Sequence, residues 1–155
     1  MKDEAPKVVA TNRKAAQDYF LEDRLEAGLA LQGSEIKSIR AGQISLREAF
    51  VRTDGRQAWL MNAHIAPYDP ASRENHDPRR PRKLLLHRRE IVRLFDQVRQ
   101  RGFTLLPTKV YLARGRAKVE IALARGKKQY DKRRELARRD AAREVERALA
   151  RRSRR

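Results

Sequence analysis

The sequence predicts a mainly β chain with short helices (α+β). The expected form is a small antiparallel β-barrel, plugged by two to three helices and followed by a basic tail. Three observations carry this expectation. Apolar and polar residues alternate over several segments, most cleanly at Val110, Leu112, Val119, Ile121 and Leu123, the period of a strand with one buried face. Glycine turn signals, Asp54-Gly55 and Arg114-Gly115 among them, sit between such segments. After Ala124 the apolar material runs out, and Arg125 onward carries 14 Lys/Arg against 5 Asp/Glu.

Taken in order, residues 1–11 are polar and Pro-containing and are expected to be disordered. Asn12 is placed to cap a brief helix through Gln17. Leu21, Leu25, Ala27, Leu29 and Leu31 share one parity while Glu22, Arg24, Glu26 and Ala30 take the other, a half-buried strand ending at Gly33. Ser34 is the expected cap of the next helix, with Glu35 in its first turn and Gly42 as its stop. With Ile36 and Ile39 inward, Lys37 and Arg40 turn to solvent together. Residues 49–53 and 57–65 flank Asp54-Gly55, which predicts a tight type I′ hairpin, and Trp59 reads as a core residue.

Residues 66–81 form a long irregular loop holding Pro67, Pro70, Pro78 and Pro81. It leads into a basic cluster in which Arg79, Arg80, Arg82, Lys83, Arg88 and Arg89 surround Leu84, Leu85 and Leu86, at least one of them buried. Residues 87–101 predict a helix with Ile91, Leu94, Phe95 and Val98 on one face and Gly102 as its stop. Residues 104–113 and 117–124 then form a hairpin around Arg114-Gly115-Arg116. Five or six strands with helices at the ends are most economically closed as a small barrel of the oligonucleotide-binding (OB-like) type. The tail from about Gln129 is helix-prone by propensity. It offers only Leu136, Val145 and Leu149 for packing, and is expected to be unfolded until it meets phosphate.

Composition narrows the function. A net charge of +18 over 155 residues favours a polyanionic partner, and nucleic acid rewards Lys and Arg directly through counterion release. Cysteine is absent, which removes disulfides, thiolate metal sites and a Cys nucleophile. Nucleotide-loop, zinc-protease and nucleophile-elbow motifs are missing, and His64, His76 and His87 lack ligand-like spacing. The expectation is therefore a binding protein rather than an enzyme, with no cofactor and no metal. With neither a signal peptide nor a membrane span it is expected in the cytoplasm, as a monomer. Candidate contacts are the outward Glu26 and Lys118, the exposed-looking Leu85 with Lys83 and Arg82, and Tyr130, placed to stack on a base amid Lys127, Lys128, Lys132 and Arg133.

Six stretches in register then resemble one family. They are Asn12-Arg-Lys-Ala15 with Tyr19; Glu26-Ala-Gly-Leu-Ala-Leu31; Gly33-Ser-Glu-Ile-Lys-Ser-Ile-Arg40; Asn75-His-Asp-Pro78; Arg82-Lys-Leu-Leu-Leu-His87; and Gly126-Lys-Lys-Gln-Tyr-Asp-Lys-Arg133. The chain resembles the tmRNA-binding (SsrA-binding, small protein B) family of bacterial trans-translation. The resemblance implies an OB-like barrel over residues 12–128 that grips the tRNA-like domain of tmRNA. It also implies a tail over 129–155, disordered when free, that becomes a helix in the empty mRNA channel of a stalled 70S ribosome. Glu26, Leu85 and Lys118 match the family's RNA contacts, and Lys37, Arg40, Arg82, Lys83, Lys127 and Lys128 are expected to join them. Tyr130, Asp131, Lys132 and Arg133, followed by Arg134, Arg138 and Arg139, match the decoding-centre and channel segment. Elongation factor Tu with alanyl-tmRNA is implied as an indirect partner. A structural ribosomal protein or a general RNA chaperone is the alternative that charge alone leaves open.

Overall fold

The computed structural model of the chain describes residues 6–68, 75–127 and 141–150. Two compact units are distinguished, Met1–Arg125 and Gly126–Arg155. In the first, the elements run β1 (Lys7–Thr11), α1 (Arg13–Asp18), β2 (Tyr19–Leu29), α2 (Gly33–Arg40), β3 (Ile44–Ser45), β4 (Phe50–Thr53) and β5 (Ala58–Met61). There follow β6 (His64–Ile65), β7 (Arg82–Leu85), α3 (Arg88–Arg101), β8 (Thr104–Ala113) and β9 (Arg116–Gly126). Hydrogen-bonded neighbours run β8-β4-β5-β7-β2-β9, and β9 pairs again with β8. The six strands therefore close into a ring, less regular than an ideal barrel, of the OB-like type expected from the alternation. β3 and β6 form a separate two-stranded ladder.

The core is the inward parity of that ring. Ala27, Leu29, Val51, Ala58, Leu60, Leu84, Leu105, Val110, Val119, Ile121 and Leu123 are all buried in one cluster, joined by Ile39 of α2 and Leu94 of α3. Each large member contributes about 1.5–3 kcal/mol by leaving water. The cap signals work locally. Asn12 Oδ1 accepts from the Ala15 N–H at 3.1 Å, and α3 stops at Gly102 in the left-handed region (φ 67°), whose N–H bonds the Val98 carbonyl.

Five expectations are corrected. Residues 1–11 are not wholly disordered, because Lys7–Thr11 pairs antiparallel with β8. β4 pairs with β8 only at Val51↔Leu105, so the far half of that long strand takes Val8 and Ala10 instead. Asp54-Gly55 is not a two-residue turn. Thr53 pairs with Ala58, and Asp54 Oδ1 accepts from the N–H groups of Arg56 (2.9 Å) and Gln57 (2.8 Å) across a four-residue loop. The turn with two consecutive positive φ values, as type I′ requires, is Arg114 (53°)-Gly115 (76°) between the paired Ala113 and Arg116. The strand expected over 57–65 breaks into β5 and β6 at Asn62, whose φ is 61°. Gln32, not Ser34, precedes α2, with its N–H bonded to Glu35 Oε1 at 2.8 Å. Trp59 is half-buried on the outer face, because Ala58 and Leu60 take the core positions on either side of it.

In the second unit residues 141–150, part of the tail expected to be disordered when free, are helical and all exposed, and the rest of 129–155 lies outside the described residues. Ala141, Ala142, Ala148 and Ala150 are the strongest helix formers, and Arg143–Glu146 and Glu144–Arg147 are attractive i,i+3 spacings.

Candidate nucleic-acid interface

The outward parity of the ring builds the site. On β2 it presents Glu26 and Gly28, on β7 Lys83 and Leu85, and on β9 Lys118, each flanked by core residues such as Ala27, Leu84, Ala117 and Val119. These five residues line one open cleft of about 920 Å³, walled on one side by Arg56 and Gln57 and on another by His87, Arg88 and Glu90 at the start of α3. Residues from positions 26 to 118 thus meet because the strands bearing them are ring neighbours. Leu85, the partner of Gly28 across the ladder, is 54% exposed. A Cβ on Gly28 would stand 3.2 Å from Leu85 Cβ and 3.3 Å from its Cδ1, so the glycine is what lets that side chain lie across β2.

Glu26 is held in place by a neighbour on the same sheet. The hydroxyl of Tyr111, a buried residue, donates to Glu26 Oε2. Tyr111 sits opposite Lys118 in the β8–β9 register, and the Lys109 ammonium lies 5.8 Å from its ring centre. Burial, then the hydrogen bond to Glu26 and the nearby carboxylate charges, push the phenol well above its usual range. Tyr111 therefore keeps its proton and donates it to Glu26. A fixed carboxylate among cations is suited to base amino groups or 2′-hydroxyls, while Lys83 and Lys118 suit phosphates.

Arg82 is corrected: it is fully buried and unavailable to RNA. Its Nε meets Glu35 Oε2 at 2.5 Å, Nη1 donates to the Ala63 carbonyl at 2.7 Å, and Nη2 reaches the carbonyls of Asp77 and Pro78. Arg80 Nη2 takes the other Glu35 oxygen at 2.5 Å. Burial alone would raise the Glu35 pKa, but bonds from Arg80, the Gln32 N–H and Arg82 outweigh it and hold the carboxyl below the usual range. His76, also buried, bonds Ser34 Oγ (2.9 Å) and the Ile65 carbonyl (2.8 Å). The Asn75–Pro78 motif and Arg82 are thus scaffold, pinning the end of the long loop to α2.

Lys37 and Arg40 are exposed on α2 but do not line the cleft; Lys37 lies over the Tyr68 ring and Arg40 bonds the Gly115 carbonyl. Lys127 is half-buried just past β9. Lys128, Tyr130, Asp131, Lys132, Arg133, Arg134, Arg138 and Arg139 lie outside the described residues. Sequence reasoning named Arg88 within the basic cluster but missed Arg56, Gln57 and His87 as cleft walls and Tyr111 as the support of Glu26. Of these, only Tyr111 left a signal, since counting outward from Arg114-Gly115 pairs it with Lys118. Among the described residues no group of three His, Asp or Glu comes together, and no helix is long and apolar enough to cross a membrane.

A closed OB-like ring with a cationic cleft on its outer sheet face, built around one anchored carboxylate, defines a nucleic-acid-binding protein. The family model described as SmpB protein matches residues 9–151, and the chain belongs to that family. An SsrA-binding protein of Roseiflexus sp. (strain RS-1) is 61% identical over 150 residues, covering 96% of this chain and 95% of the relative. The SsrA-binding protein of Carboxydothermus hydrogenoformans is 54% identical over 143 residues, covering 92% and 96%. A solved chain described as "tmRNA-SmpB: a journey to the center of the bacterial ribosome" matches with a TM-score of 0.65 and 49% identity, over 76% of this chain and 82% of that one.

Proposed function

We propose that the chain is an RNA-binding protein of trans-translation in the bacterial cytoplasm. It binds the tRNA-like domain of tmRNA and delivers it, with elongation factor Tu on the alanyl-tmRNA, to the vacant A site of a stalled 70S ribosome. The observation that carries this reading is the convergence of Glu26, Lys83, Leu85 and Lys118 on one cleft. Lys83 and Lys118 neutralise phosphates, Leu85 packs against a base or sugar, and Glu26 accepts from a base amino group or a 2′-hydroxyl. Lys37 and Arg40 on α2, with Lys127 and Lys128 beyond β9, add backbone contacts outside the cleft. The tail, with Tyr130 to Arg133 at the decoding centre and Arg134, Arg138 and Arg139 beyond, occupies the mRNA channel as a helix. A channel filled with message has no room for it, so delivery is restricted to ribosomes that have lost theirs.

The test is binding of the full chain to tmRNA and to a tRNA of equal length at two salt concentrations. A tmRNA-preferring complex that survives the higher salt is expected, and Lys118→Ala should weaken it about tenfold, the weight of ~1.4 kcal/mol. Equal affinity for both RNAs that collapses with salt, as for simple counterion release, would leave only a basic protein.

A further inference from the structure

The outward band does not stop at the cleft. Across the ladders, Lys83 of β7 pairs with Trp59 of β5, and Trp59 pairs with Arg52 of β4. Directly opposite residues share a sheet face, so Arg52, Trp59 and Lys83 form one row on the outside of the ring. Gln57, which walls the cleft, has the same parity on the approach to β5 as Trp59. Arg52 and Lys83 are both exposed, and Trp59 is absent from the half-buried residues that pack on the core cluster. In ring order the band runs Arg52, Trp59, Lys83 with Leu85, Gly28 with Glu26, and Lys118, crossing five adjacent strands. Four inter-strand steps make it about 19 Å long, measured around the curve of the ring.

We infer that the RNA site extends over this whole band and that Trp59 is a stacking platform for a base, held between the Arg52 and Lys83 cations. This rests on the function proposed above and adds a residue to it. A large aromatic on a solvent-facing sheet gains from a base where it gains nothing from the core, and flanking cations bring the phosphates to it. The occupant is the RNA already seated in the cleft, because Lys83 lines the cleft and pairs with Trp59.

Trp59 is the chain's only tryptophan, so its emission reports this position alone. Titrating the full chain with a transcript of the tRNA-like domain of tmRNA should quench that emission in step with binding. Trp59→Leu, which keeps an apolar outer surface without the large π face, should weaken binding roughly tenfold. Trp59→Phe should retain most of the affinity, and all variants should keep the wild-type melting temperature. A Trp59→Leu substitution that leaves affinity intact while Lys118→Ala weakens it would overturn the stacking role and leave the tmRNA reading standing. Unchanged binding in Lys118→Ala would instead sink that reading. Emission unmoved by the transcript, or quenched only by 30S subunits, would also overturn the inference.

Discussion

Among single residues, Glu35 and Arg82 form a buried ion pair in which loss of either partner strands a charge, though neither lines the cleft. Both are fully buried, and Arg82 spends its donors on Glu35 and three carbonyls. Glu35→Gln leaves that guanidinium without a counter-charge, so it should cost about 3–5 kcal/mol in denaturant unfolding. Because the carboxyl is depressed when folded, its stabilisation is complete above the unfolded carboxylate pKa of about 4.3 and is lost as pH falls through the lower folded value. Wild type should therefore lose stability on the acid side, and Glu35→Gln should flatten that limb. A melt series between neutral and strongly acidic pH reads both. Arg82 also shows where sequence reading fails. Standing in a run of basic residues, it looks like a ligand-binding cation, and only the strand's two-residue period separates it from Lys83, which does face outward.

At the level of elements, the ladder between β2 and β7 sets the geometry of the cleft. Gly28 has no side chain where Leu85 crosses it, and Leu85 is exposed. Gly28→Ala should therefore displace the Leu85 side chain, with β7 giving by a few tenths of an ångström at its Cβ. Fold stability is expected to change by less than about 1 kcal/mol, while affinity for the tRNA-like domain drops about tenfold, or ~1.4 kcal/mol. Thermal melting and RNA titration of the one variant separate the two effects. Long, strongly patterned elements were legible: α3 with its Gly102 stop, the β8–β9 hairpin, and the outward parity of Glu26 and Lys118. Short ones were not. β1, β3 and β6 are held by partners distant in sequence, and the loop at Asp54 is decided by a side-chain bond to Arg56 and Gln57 that the Asp-Gly pair does not announce. Trp59 was misread because burial in a strand follows parity, not hydrophobicity.

For the whole molecule, charge and division of labour are the issue. Half of the net +18 lies from Arg125 onward, whereas the cleft belongs to the first unit. Loss of residues 134–155 should therefore spare tmRNA recognition, apart from a shallower salt dependence, and abolish tagging on stalled ribosomes. A gel-shift assay alongside a tagging assay on a message lacking a stop codon distinguishes the two. Truncation that destroyed tmRNA affinity would contradict the two-part arrangement.

The closure of the ring also governs when the protein can act. β9 docks between β8 and β2, so Lys118 joins Glu26 only where that seam is closed, between strands distant in sequence. Once RNA lies over β2 and β9 it acts as a clasp on that seam, and the closed ring gains stability in proportion to the logarithm of RNA concentration.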